Sequence, residues 1–163
     1  MKLNGSCHCG KVRFTLNAQS PVPYNLCYCS ICRKTAGSGG FAINLGADAD
    51  SLSITGKEHI SRFNAIRRDD DGHEEVSEAE RSFCKHCGTA LWVYSPSNPD
   101  LIHPQAGCID TPLPKPPMRV HNMINSKPEW VGVCTFEDDE VYDEFGPESL
   151  KSWHEKHGLY DGS

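Results

Sequence analysis

The sequence of 163 residues contains no apolar run approaching the roughly 20 residues that a membrane-spanning helix needs. That removes helical membrane proteins from consideration. It contains no basic block either: 16 Lys and Arg stand against 22 Asp and Glu, a formal net charge of −6. Such a chain is a poor electrostatic partner for nucleic acid or an anionic membrane, and neither is expected. The start, Met1-Lys2-Leu3-Asn4-Gly5-Ser6-Cys7, lacks the apolar core of a secretory signal, so the expected location is cytoplasmic. Internal repeats and low-complexity segments are missing, and the length suits a single domain over 1–163.

Helix signals are also scarce. The clearest is Pro147 to Gly158, with proline at its start, glycine at its end, and Leu150, Trp153 and His157 spaced to dock on the body. A short turn is expected from Ser30 to Thr35. Strand signals are short and numerous. Lys11 to Leu16 alternates polar and apolar residues, and Gly40 to Leu45, Ser51 to Ile54, His59 to Phe63 and Ala90 to Tyr94 resemble it. Leu101 to His103 and Met118 to His121 are weaker examples. The charged stretch Arg67 to Glu80 reads as a solvated hairpin loop, and the four prolines between Thr111 and Pro117 as an extended surface crossing. The expected class is mainly β, two packed antiparallel sheets with a short C-terminal helix.

What the sequence has in abundance is cysteine: nine, at 7, 9, 27, 29, 32, 84, 87, 108 and 134. The odd count and the missing secretory signal favour metal ligation over disulfides. Seven fall in three clusters: Cys7-x-Cys9, Cys27-x-Cys29-x-x-Cys32 and Cys84-x-x-Cys87. The two pairs would close one four-sulfur zinc site, and the triplet would hold a second zinc with an open position. Gly10 and Gly88 follow the pairs and suit tight turns there. An iron–sulfur cluster on the triplet plus one outside cysteine is the other metal reading, but it splits the pairs. Cys108 and Cys134 stand alone and read as core or surface residues. Three thiolates on a zinc leave the centre net negative and a weak activator of water. Its soft character suits an exogenous thiolate as fourth ligand.

The residues resemble a known family. Gly5-Ser6-Cys7-His8-Cys9-Gly10-Lys11-Val12-Arg13-Phe14, Cys27-Tyr28-Cys29-Ser30-Ile31-Cys32-Arg33-Lys34 and Phe83-Cys84-Lys85-His86-Cys87-Gly88-Thr89-Ala90-Leu91 are similar to motifs of the glutathione-dependent formaldehyde-activating enzymes, a family that includes centromere protein V. Gly107-Cys108-Ile109-Asp110 and His121 to Trp130 resemble its later blocks. The similarity covers about residues 3–131; the tail 132–163 matches no motif. The resemblance implies a β-tent-like fold of two or three antiparallel sheets, as in methionine sulfoxide reductase B. It implies a structural zinc on Cys7, Cys9, Cys84 and Cys87 and a catalytic zinc on Cys27, Cys29 and Cys32. It also implies a carbon–sulfur lyase activity, the addition of glutathione to formaldehyde to give S-hydroxymethylglutathione. Tyr28 departs from the family, which often has histidine there, and Cys108 stands at a usually apolar position.

On this reading a thiolate at the triplet attacks a small aldehyde, and the alkoxide formed needs a proton or a donor. Backbone amides near Gly37, Gly39 and Gly40, or Gln105, are the candidate donors. Arg33 and Lys34, directly after the triplet, are placed to bind the thiol's carboxylates. His8, His86, His103 and His121 are further candidates for ligands or proton donors. The alternatives are a non-catalytic zinc-binding interaction module, or an enzyme of the same fold acting on another thiol adduct or imine. Methionine sulfoxide reduction is disfavoured, because neither Cys108 nor Cys134 has a matching context.

Overall fold

A computed structural model describes residues 1–69 and 71–159, and these described residues form twelve strands, two α-helices and four short 3-10 turns. The alternation seen in the sequence places the first hairpin. In β1 (Lys2–Ser6) and β2 (Arg13–Asn17), Leu3, Phe14 and Leu16 turn inward while Lys2, Arg13 and Asn17 face solvent. β6 (Ser53–Thr55) completes this antiparallel sheet, in the order β1-β2-β6. The second sheet has the order β5-β10-β9-β8-β7 and is antiparallel throughout. Its strands are β5 (Ala47–Asp48), β7 (Ile60–Arg68), β8 (Glu74–Cys84), β9 (Ala90–Tyr94) and β10 (Leu101–Pro104). Between these two sheets lies the main core of Leu3, Val12, Phe14, Leu16, Leu45, Leu91, Trp92 and Ile102. Phe14 meets Trp92 edge-on, with ring centroids 5.2 Å apart.

The third sheet, β12-β11-β3-β4, differs from the all-antiparallel expectation. β3 (Tyr24–Cys27) pairs antiparallel with β4 (Ala42–Asn44), but β11 (Arg119–Asn122) runs parallel to β3 and to β12 (Glu140–Val141). Parallel neighbours need long crossovers. Those crossovers, from residue 28 to 118 and from 123 to 139, are not announced by local pattern. The molecule is thus mainly β, with three sheets and no closed barrel.

Two boundaries move from their expected places. The charged stretch 67–80 is mostly strand: β7 continues to Arg68 and β8 begins at Glu74, leaving a short turn. Opposite charges meet across the ladder, Arg67 to Glu75 at 3.0 Å and Arg68 to Glu74 at 2.6 Å, which lets polar residues extend a two-stranded ribbon in water. The C-terminal helix is shorter than proline and glycine suggested: α2 spans Leu150–Lys156 because the Ser149 hydroxyl accepts the Ser152 amide and fixes the start. Trp153 is buried and stacks on His157 at 4.0 Å. His154, which the spacing did not single out, is also buried and donates from Nε2 to the Val22 carbonyl at 2.6 Å. The proline-rich crossing at 111–117 is irregular, as expected. No helix among the described residues is long and apolar enough to cross a membrane.

Candidate metal centres and active site

Two groups of cysteine sulfurs converge, each with all its sulfurs within 4.8 Å of one another: Cys7, Cys9, Cys84 and Cys87, and Cys27, Cys29 and Cys32. In the first group Cys7 Sγ lies 3.5 Å from Cys9 Sγ, and Cys9 Sγ 3.7 Å from Cys84 Sγ. Zinc–sulfur bonds of about 2.3 Å in a tetrahedron put neighbouring sulfurs roughly 3.8 Å apart, whereas a disulfide needs about 2.05 Å. The spacing therefore fits a four-sulfur metal site, and all nine cysteines are free thiols.

Two matching turns build this site. The Gly10 amide donates to the Cys7 carbonyl at 2.9 Å and the Gly88 amide to the Cys84 carbonyl at 2.8 Å. Both glycines have left-handed φ, 74° and 73°, where a side chain would be strained. The sulfurs receive other donors: the Val12 amide reaches Cys7 Sγ at 3.3 Å, and the Thr89 hydroxyl lies 3.2 Å from Cys87 Sγ. The Thr89 hydroxyl, followed by its backbone amide, lowers the Cys87 thiol to about 5. Cys7 and Cys84 are buried and Cys9 and Cys87 lie at the surface.

The triplet sits where β3 runs into α1 (Ser30–Ala36). Strand alternation turns Asn25 and Cys27 to one face, and Leu26 and Tyr28 to the other. The Cys29 sulfur caps the helix by accepting the Cys32 amide at 3.3 Å, which brings the second and third sulfurs together. Hydrogen bonds from Cys27 and then Cys32 lower the Cys29 thiol to about 2, while Cys27 is pushed up by the same contacts.

Tyr28 is fully buried and packs on Phe41 at 5.2 Å. Its phenol lies 2.9 Å from His121 Nδ1, whose Nε2 lies 3.1 Å from Asp139 Oδ2. Arg119 completes the network through Nε and Nη2 on Asp139 at 2.9 and 2.6 Å. Burial alone would raise the Asp139 carboxyl, but the Arg119 guanidinium overrides it and holds it well below the usual carboxylate range. The network anchors the residue between Cys27 and Cys29 to the tail segment. Replacing Asp139 by alanine removes the carboxylate that pairs with both Arg119 and His121 and is expected to lower stability by about 3 kcal/mol, read as a drop in the urea midpoint. Because the folded carboxyl is depressed, its stabilisation is present above the ordinary carboxylate range and fades as pH falls through the lower folded value. An unchanged midpoint would refute this role.

The triplet opens on a cavity of about 630 Å³ between the second and third sheets. Three expected substrate residues do not line it. Arg33 and Lys34 follow Cys32 on α1 and are turned about 100° and 200° away around the axis. Gln105 donates its amide to Asn44 Oδ1 at 2.8 Å and borders a separate cavity of about 260 Å³. It thereby positions Asn44, which does line the larger one. The glycine amides at 37–40 do not reach the cavity lining either.

The cation beside the sulfurs is Arg81, whose Nη2 lies 3.9 Å from Cys32 Sγ. Its Nε and Nη1 are buried with no acceptor among the described residues. Arg81, Val93 and His103 form one row across β8, β9 and β10, all three on the cavity wall. His103 Nδ1 donates to the Leu45 carbonyl at 3.0 Å, which leaves Nε2 as the basic nitrogen. Burial lowers its pKa from the ordinary imidazole value, with partial opposition from the Leu45 bond. Arg81 is not legible as a site residue while the preceding stretch 67–80 reads as loop, because its facing then has no strand to set it. Read as strand, the alternation would have placed Ser77, Ala79 and Arg81 on one face.

The remaining candidates fall elsewhere. Cys108 is buried, donates to the carbonyls of Gln105 and Leu91 at 3.2 and 3.3 Å, and is pushed up to about 12 by burial. Cys134 is exposed. His86 pairs with His59 at 3.1 Å on the surface, and His8 uses its amide to reach Thr89 at 3.1 Å. The tail that matched no motif closes the cavity through Glu140, Tyr142, Phe145, Glu148, Leu150 and Trp153.

Comparison with known proteins points the same way as the cysteine geometry. A family model described as glutathione-dependent formaldehyde-activating enzyme matches residues 2–124. A Halomonas elongata protein, provisionally named a glutathione-dependent formaldehyde-activating enzyme, is 50% identical over 162 residues, 99% of this chain and 100% of that one. A solved structure of a Rhodobacter sphaeroides protein is 25% identical, with a TM-score of 0.48, over 70% of this chain and 92% of its own.

Proposed function

The chain belongs to the glutathione-dependent formaldehyde-activating enzyme family, and on that premise we propose that it is a carbon–sulfur lyase-type enzyme that adds a thiol such as glutathione to formaldehyde or a related small carbonyl. The observation that carries this reading is three convergent sulfurs opening on a large cavity, with a guanidinium beside them. Zinc is the metal that the all-sulfur donor sets fit at both sites. Bound by Cys27, Cys29 and Cys32, it would keep a visiting thiol deprotonated near neutral pH.

The chain's own residues supply the rest. Arg81 offsets negative charge at the sulfurs and offers its unpaired Nε and Nη1 to a carboxylate or a developing alkoxide. His103 Nε2 is the group for the proton. The sulfur–carbon bond forms, the carbonyl π pair moves onto oxygen, and that oxygen takes the proton the thiol gave up. Asn25, Asn44 and Asn122 line the same cavity from the third sheet and can hold the substrate's polar atoms.

The test is whether the zinc-loaded protein speeds adduct formation between glutathione and formaldehyde, followed by NMR. In that assay, His103→Gln is expected to lower kcat/KM by about 10²- to 10³-fold. Since its folded pKa is lowered, the wild-type acid limb should lie below pH 6.5 and disappear in the variant. Full zinc loading with no acceleration would leave the non-catalytic module as the reading.

A further inference from the structure

We infer that the carbonyl partner accepted by this chain carries an apolar substituent of medium alkyl or phenyl size; the inference rests on the thiol-addition reading above. The cavity has two unlike walls. The second sheet contributes Ser77, Arg81, Ser95 and His103 beside Ala79, Val93 and Leu101, and its Arg81 suits a carboxylate of a peptide thiol, whereas Arg67 is already paired with Glu75. Opposite it stand Val120, Tyr142, Phe145, Leu150 and Trp153, from β11 and the tail.

Size and charge decide what this second wall receives. Formaldehyde needs little more space than two waters, roughly 60 Å³, whereas the cavity measures about 630 Å³, the scale of much larger ligands. A tripeptide thiol drawn to Arg81 leaves the aromatic side to the second reactant. Glu140 and Glu148 on that side, held by Lys156 at 3.9 and 3.1 Å, discourage a further anion. Every tail residue named here lies beyond residue 124, where the family match ends. The wall is therefore a feature that the shared motifs do not specify.

The chemistry is the same addition: a thiol and an aldehyde give a thiohemiacetal, with no change of oxidation state. The substituent on the aldehyde carbon faces the aromatic wall. The experiment uses full-length, zinc-loaded protein with glutathione and formaldehyde, butanal, hexanal or phenylacetaldehyde. NMR gives the catalysed rate over the uncatalysed rate for each. The enhancement is expected to grow by roughly fourfold per buried methylene until the wall is covered, with hexanal at least about tenfold above formaldehyde. Phe145→Ala, at an exposed position on the cavity rim that leaves the core intact, should shrink the hexanal-to-formaldehyde ratio several-fold. An enhancement that is greatest for formaldehyde and falls with chain length overturns the inference while the thiol-addition reading stands. No enhancement with any aldehyde overturns both.

Discussion

On the proposed two-zinc reading, replacing Cys29 by serine is expected to reduce thiol-addition activity by about 10³-fold or more and to lower the zinc content from two ions per chain to one. Cys29 is the middle sulfur of the three, and by accepting the Cys32 amide at 3.3 Å it ties the ligand set to the start of α1. A serine hydroxyl stays protonated at neutral pH and is a harder ligand, so the remaining pair holds a soft cation poorly. A bound metal's stabilisation of a reactive thiolate amounts to several kcal/mol, hence the thousandfold scale. The fold should survive, because a serine hydroxyl can accept the same helix-capping bond. Metal analysis and circular dichroism on one preparation check both halves. Two retained zinc ions with activity within tenfold of wild type would refute the assignment.

The second large effect concerns stability. Cys84→Ser, or exhaustive chelation of the wild-type protein, is expected to abolish cooperative thermal unfolding. Cys84 is completely buried and brings the knuckle at 84–87 to the turn at 7–9, closing a loop of more than 70 residues. A four-sulfur zinc site contributes on the order of 10–16 kcal/mol in small metal domains. Whole domains are stable by only about 5–15 kcal/mol. Loss of the site is thus comparable to loss of the fold. Chelation tests the point without a substitution. A chelated protein that still melts cooperatively within about 5 °C of the zinc-bound form would show that the site is dispensable.

The two centres differ in what holds them. In the first, paired turns and a threonine act on four sulfurs contributed by two distant segments. In the second, three sulfurs come from six consecutive residues, and the long-range element is the packing behind them. The network from Tyr28 to Arg119 ties that short stretch to the tail, and the tail in turn walls the cavity. The tail thus contributes both to the packing behind the triplet, through Asp139, and to the cavity wall, from Glu140 onward.

The ligand chemistry was legible in the sequence because it is local. Cys27 and Cys29 share a face because strand residues alternate, and Cys29 and Cys32 meet because three residues make a helical turn. Gly10 and Gly88 suit the tight turns found there, and the alternating pattern of β2 marked its inward face, whereas β9 buries the adjacent Leu91 and Trp92 on both faces. The residues around the metal were legible only in the tertiary structure. Arg33 and Lys34 are near the triplet in sequence, but the helix carries them aside. Arg81 and His103 are far away in sequence and meet across β9 because strand register puts both opposite Val93. Register and parallel crossovers depend on contacts among residues tens of positions apart, and no local pattern encodes them. For the same reason a tail without a motif could become the wall opposite the sulfurs.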